Sequence, residues 1–236
     1  MAEPGWTARD WASQPPLIHA PYRSSVLRGP TRPLLKLPPT LSEITGPLHG
    51  AASADALDSD LTRNARRNGE PLGERIVVTG RVLGDDARPV PGTLVEVWQA
   101  NAAGRYIHAT DQHDAPIDPN FLGAGRCVTD AQGCYRFVTI KPGAYPWGNH
   151  HNAWRPAHIH FSVFGHSFVS RLVTQMYFPG DPLFPFDPIF NSVTDEKARM
   201  RMVSDFDMEN TKPDWALCYR FNIVLRGRNA TPMETK

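Results

Sequence analysis

Twenty-three prolines in 236 residues, against a usual share of roughly 5%, limit this chain more than any other feature. Ten of them precede Gly73, including Pro15-Pro16 and Pro38-Pro39. Proline fixes φ and removes a backbone donor, so this stretch reads as neither an ordinary helix nor a central strand. One short helix is expected to start at Thr40 or Ser42, with Glu43 in its first turn and Gly46 at its end. Trp6, Trp11, Tyr22, Leu34, Leu35 and Leu37 carry too much apolar surface for a solvated leader. Residues 1–73 are therefore expected to form an ordered, extended arm lying across the rest of the chain or a partner subunit.

From Glu74 the texture changes to strands. Arg75–Leu83 is rich in β-branched residues and ends at the turn signal Gly84-Asp85-Asp86. Residues 93–98 alternate, and a turn over 130–133 feeds Cys134–Ile140. Two further strands, 157–164 and 168–178, are joined by Gly165-His166-Ser167, and 215–226 reads as a long final strand. Residues 195–203 form the one convincing helix, in the second half of the chain, with Thr194 as its N-cap. Short strands, heavy turn chemistry and a single good helix predict an all-β sandwich over 74–236. Residues 106–126 and 142–156 are longer than ordinary connections, which marks them as functional loops.

Composition narrows the function. Twenty-five Lys and Arg against 24 Asp and Glu leave a formal charge of +1, without the basic surplus that nucleic acid or an anionic membrane demands. No apolar run reaches the roughly 18–20 residues of a membrane span, and MAEPGWTARDW lacks the pattern of a secretory signal. Three cysteines, Cys127, Cys134 and Cys218, are too few and odd for a disulfide framework. They read as reduced thiols in a cytoplasmic protein.

The densest chemistry lies between Tyr145 and His160. On a strand, residues i and i+2 face one side, so His158 and His160 point together, about 7 Å apart at Cα, while Ile159 faces the other layer. Such a pair can chelate one ion, but it also occurs as a plain hydrogen-bonded pair. The region has no cysteine, which disfavours thiolate zinc or iron–sulfur sites. Asp111, His113 and Asp114 could add hard ligands for zinc or a two-His-one-carboxylate ferrous site, or could simply form turns. His150-His151 diverge as neighbours and read as surface residues or as groups behind the ligands.

Val78, Thr79, Gly80, Arg81 and Val82, then Val90, then Val95-Glu96-Val97-Trp98 and Gly104-Arg105-Tyr106 resemble the signature of the intradiol ring-cleavage dioxygenases. The loop KPGAYPWGNHHNAWRPAHIHF continues the resemblance, which extends over nearly the whole chain. Ala87 and Ala144 depart from the family pattern, where Gly or Ser and Pro are usual; neither is a ligand. The resemblance implies a non-haem Fe(III) held by Tyr106, Tyr145, His158 and His160, with Tyr145 the ligand that leaves as substrate binds. It also implies that Arg155 stabilises negative charge on the ring, that Trp147 and Ile189 wall the pocket, that Gln175 hydrogen-bonds substrate, and that Tyr22 contacts a substrate carboxylate. An ion-paired arginine is the rival reading of Arg155, and core packing or a satisfied amide that of the next three.

The match is strongest to the branch of the family in which the iron-binding chain pairs with a homologous α subunit in a larger oligomer. That branch implies protocatechuate and O2 as substrates, with 3-carboxy-cis,cis-muconate as product. Catechol and hydroxyquinol are the alternative substrates, although enzymes acting on them carry a helical N-terminal region unlike this Pro-rich one. A metal-free structural partner subunit is the non-enzymatic alternative, and the four retained ligand residues speak against it.

Overall fold

The structure is a computed structural model that describes residues 11–35, 54–164 and 171–234. The helix expected near Thr40, the side chains of Trp6 and Leu37, and the Gly165-His166-Ser167 connection lie outside these residues.

Two sheets face each other across one core. In the first, β1 (Arg75–Leu83) pairs antiparallel along its length with β4 (Cys134–Ile140). Its other edge takes β10 (Leu217–Arg220) and then β11 (Ile223–Val224), both parallel to it, and β9 (Asp205–Phe206) pairs with β10. The second sheet runs β3 (Ala124–Val128), β2 (Leu94–Trp98), β7 (His158–Phe164), β8 (Arg171–Tyr177), all antiparallel. The alternating apolar residues meet between the layers: Ile76, Val78 and Phe137 from one, Val95, Val97, Ile159, Phe161 and Met176 from the other. Phe161 lies 5.9 Å from Phe137 and 5.2 Å from Phe221, centroid to centroid. This is the packing of an all-β sandwich.

Several local expectations change. The final strand is interrupted: the Phe221 amide still donates to Thr79, but Arg81 N–H turns to the Asn222 side chain, so β10 and β11 are separate pieces. The loop expected over 106–126 ends in β3, whose sequence Ala-Gly-Arg-Cys-Val hides it. Gly125 is needed there because Leu61 and the Asp58 carbonyl fill the space of a Cβ. Leu61 is fully buried in the core, and residues 58–61 are bound to β3 and β4 through Arg126 N–H to Asp58 O and Leu61 N–H to Val138 O.

The second-half helix is α3 (Glu196–Met200), shorter than expected and capped by Asp195 rather than Thr194. Asp195 has extended dihedrals and accepts the Ala198 amide, which satisfies a free first-turn donor. It is not alone. α2 (Pro188–Asn191) precedes it, and α1 (Arg23–Arg28) lies in the arm, upstream of the one helix expected there. Pro21 and Pro30 leave a proline-free window between them, wide enough for α1. Ala87 has φ of 61° in the turn after β1, the left-handed region that suits the glycine it replaces. No helix among the described residues is long and apolar enough to cross a membrane.

Candidate metal centre

β7 runs through the middle of its sheet, and its residues are buried on both faces. Ile159 and Phe161 enter the core, and His158 and His160 leave by the opposite face. There the register sets His158 opposite Tyr177 and His160 opposite both Gln175 and Trp98. Trp98 stacks on His160 at 4.9 Å with a 4° tilt between the rings. The two imidazoles stand 4.9 Å apart.

Each imidazole has its Nδ1 engaged. His158 Nδ1 lies 2.7 Å from the Pro156 carbonyl and His160 Nδ1 3.0 Å from Glu234 Oε2. Carbonyl and carboxylate oxygens only accept, so both Nδ1 atoms carry protons, and Nε2 is the nitrogen of each ring that its anchor leaves unheld. Burial, and then the neighbouring Arg155 charge, holds His158 well below the usual histidine range, which keeps it neutral.

The phenols arrive on the two long loops. Gly104, at φ +76°, lets the Tyr106 segment press against the Ala144 carbonyl, where a Cβ would collide. Asp111 accepts the Tyr106 amide at 2.7 Å and pairs with Arg105 at 3.4 Å. Tyr145 begins the two-residue strand β5 (Tyr145–Pro146), which pairs with β6 (Trp154–Arg155) so that Tyr145 faces Arg155. The rings of Tyr106 and Tyr145 meet edge to face at 5.4 Å, and Tyr145 Oη lies 3.3 Å from His158 Nε2.

Asp111 and His113 are turn formers, as one of the two readings had it. His113 donates its amide to Asp111 and sets Nδ1 against the Gly104 carbonyl. His150 and His151 are exposed.

Tyr106, Tyr145, His158 and His160 are of the kind that suits a hard, highly charged ion. Tyr106 Oη is buried with no hydrogen-bond partner, a state costing about 1–3 kcal/mol unless something supplies one. Burial, and next the adjacent Tyr145, push its phenol well above the ordinary tyrosine range, so only a cation would hold it as phenolate. No group of three or more His, Cys, Asp or Glu that could hold a metal is found among the described residues.

Arg155 is buried beside the four. Its Nη1 donates to His158 Nε2 at 3.1 Å and to Tyr145 Oη at 3.5 Å. Its Nη2 donates to Gln175 Oε1 at 2.6 Å, Tyr177 Oη at 2.9 Å and Asp187 Oδ2 at 2.9 Å. The arginine is ion-paired, as its rival reading had it, and lies beside Tyr145 and His158. Asp187 is fully buried, and its other oxygen caps α2 at the Ile189 amide. The sequence signal for Asp187 is an Asp-Pro helix start, which reveals a cap but not its ion pair.

A cleft of about 590 Å³ opens over the phenols, walled by Tyr106, Tyr145, Trp147 and the Asp111–His113 turn. Gln175 and Ile189 are not in its walls; they stand behind Arg155 and Asp187. Tyr22 of the arm is buried against Trp147, ring centroids 5.4 Å apart, and Arg28 donates to its Oη at 2.7 Å. Asn149 fastens the arm there, accepting Arg23 N–H at 2.9 Å and donating to Pro21 O at 2.8 Å. A larger open groove of about 960 Å³ lies over β1 and β4 and contains none of these residues. The chemistry assigns the site to the smaller one.

Residues 44–227 match the Dioxygenase family, and the chain belongs to the intradiol ring-cleavage dioxygenases. Residues 7–40 match a second family, described as protocatechuate 3,4-dioxygenase beta subunit N terminal. The chain is 67% identical over 228 residues to the protocatechuate 3,4-dioxygenase beta chain of Burkholderia cepacia, covering 97% of each. It is 34% identical to the hydroxyquinol 1,2-dioxygenase of Rhizobium sp. (strain MTP-10005), over 70% of this chain and 56% of that one. Among solved structures, catechol 1,2-dioxygenase from Acinetobacter sp. ADP1 aligns with a TM-score of 0.52 and 26% identity, over 71% of this chain and 58% of that one. The 3-chlorocatechol 1,2-dioxygenase of Rhodococcus opacus 1CP, at 22% identity, shares the fold with a TM-score of 0.55, over 72% and 66%.

Removing one partner of a buried ion pair strands the other. Asp187→Ala is expected to lower unfolding free energy by ~3–5 kcal/mol and to reduce turnover. Denaturant titration and steady-state kinetics check both, and wild-type stability would show that Arg155 does not depend on Asp187.

Proposed function

We propose that this chain is the iron-binding, catalytic chain of an enzyme that cleaves protocatechuate with O2 between its two hydroxylated carbons, yielding 3-carboxy-cis,cis-muconate. The convergence of two half-buried tyrosines, one with its hydroxyl buried and unpartnered, on two buried imidazoles carries the metal reading. Similarity across almost the whole chain, arm included, supports the substrate. Tyr106, Tyr145, His158 and His160 would hold the ion. Bound there, Fe(III) would supply charge enough to keep the phenols ionised at neutral pH and to draw electron density from a chelated catecholate.

The chain's own groups have separable tasks. Tyr145, on the cleft wall beside Arg155, is placed to accept a catechol hydroxyl proton at Oη. Arg155 stays charged because Asp187 offsets the penalty of its burial, and it faces negative charge gathering on the ring. Trp147 closes one wall against water. Arg28 occupies Tyr22 Oη as a donor, which leaves the Tyr22 hydroxyl proton free to bond a ring carboxylate. Gln175 and Ile189 act from behind, through Arg155 and the Asp187 cap. Catechol and hydroxyquinol lack the carboxylate that Tyr22 would recognise, which ranks them below protocatechuate.

The arm also supports an α partner in a larger oligomer. Leu27 and Leu35 are 88% and 86% exposed, and Trp11 and Leu34 are open as well. Such a surface calls for a cover. Three free cysteines accord with a cytoplasmic setting.

The purified protein is expected to hold about one Fe(III) per chain and to be burgundy from phenolate-to-metal charge transfer. Tyr106→Phe and His158→Ala should lose iron, whereas Tyr145→Phe should keep it and slow substrate binding. Metal analysis with visible spectroscopy reads all three; colourless, zinc-filled protein, or a yellow extradiol product, would overturn the reading. Tyr22→Phe should raise KM for protocatechuate about tenfold, ~1.5 kcal/mol for a bond to a charged group, and leave catechol kinetics unchanged. An equal effect on both substrates would remove the carboxylate contact. Light scattering should find a large, active complex on co-expression with the homologous α chain, and weak activity without it. A fully active monomer would dismiss the partner.

A further inference from the structure

The two imidazoles are secured by different means. His158 is locked by the backbone carbonyl of Pro156, two residues before it in the chain, which no side-chain substitution can remove. His160 depends on Glu234, 74 positions along the chain. Trp98 stacks on the His160 ring and fixes its plane, but a stacked plate can still flip by half a turn about Cβ–Cγ. Such a flip exchanges the edge carrying Nδ1 for one carrying carbon. Only an acceptor on one side selects which edge faces the phenols, and Glu234 Oε2 is that acceptor.

The segment that brings Glu234 there is itself tied down. Thr231 N–H bonds Val224 O, Thr174 Oγ1 donates to Pro232 O, and Glu234 N–H bonds Val173 O at 2.7 Å. Between the last two, Met233 N–H bonds Gln14 Oε1 at 2.7 Å, and Gln14 is a buried residue of the arm. A path of direct contacts therefore joins the arm to His160.

We propose that Glu234 is the positioning residue of His160, and that Gln14 holds Glu234 in place, so that metal retention depends on the seating of the arm. This rests on the reading of His160 as a metal ligand. An outer carboxylate on a metal-bound histidine changes metal affinity by roughly 10–100-fold.

The test measures iron release from the iron-loaded complex to a strong ferric chelator, followed by loss of the visible charge-transfer band. Glu234→Ala should release iron ~10–100-fold faster, and Glu234→Gln, which keeps an acceptor oxygen without its charge, should lie between it and wild type. Gln14→Ala, remote from the ligands, should move the rate the same way by a smaller factor. The thermal midpoint of the metal-stripped protein should barely change in any of the three. Wild-type release from Glu234→Ala, or faster release matched by an equal fall in metal-free stability, overturns the positioning role. Wild-type release from Gln14→Ala alone overturns the link to the arm. His160→Ala separates the two levels: full iron retention in that variant would sink the ligand reading itself, whatever Glu234 does.

Discussion

Everything around the site follows from one constraint, the two-residue period of β7. A central strand of a sandwich normally gives one face to the core and the other to water. Here the second face carries His158 and His160, both buried, with Nδ1 of each held by an acceptor. Something must therefore cover that face without filling it with hydrocarbon. Trp98, Tyr106 and Tyr145 provide rings, Arg155 provides a charged floor, and the 231–234 segment adds a carboxylate along the β8 edge. The long loops are long because they return across a sheet face rather than linking neighbouring strands.

The charged floor is costly in isolation. A guanidinium 3% exposed is tolerable only beside a counter-charge with its hydrogen bonds satisfied. Asp187 provides the charge, and Gln175 and Tyr177 share the other proton of Nη2, while Nε is left without a partner. The same carboxylate caps α2, so a single side chain fixes both the arginine and the helix bearing Ile189. The arm follows a similar logic. Its prolines reduce the entropy lost on ordering, and Asn149 converts a loop carbonyl and amide into an anchor for Tyr22.

Much of this was readable in the chain, and the limit has a physical cause. β1, β4, β7 and β8 carry a two-residue pattern, and Tyr106, Tyr145, His158 and His160 sit at a spacing that family resemblance makes specific. β3 escaped because its Gly125 serves Leu61, a contact 64 positions distant that leaves no local period. α1 escaped because proline density was judged over the whole arm and not over the gap between Pro21 and Pro30. Asp187, Asn149 and Glu234 look like a cap, a loop amide and a surface acid. Each acquires its role from a partner at least 32 residues away, which no local pattern encodes.

Charge explains why the ligands must be of this kind. A trivalent ion placed among neutral donors in a buried cavity would carry a desolvation penalty that the geometry could not offset. Two phenolates would cancel two of its charges, and Glu234, held below the usual carboxylate range by its bond to His160 despite burial, stays ionised to balance the third. Arg155 and Asp187 form a pair neutral in itself and leave that balance undisturbed. A divalent ion in the same cage would leave an uncompensated negative charge inside the protein. On the proposed iron reading, a preference for Fe(III) over Zn(II) would rest on the whole charge set, Glu234 included, and not on Tyr106, Tyr145, His158 and His160 alone.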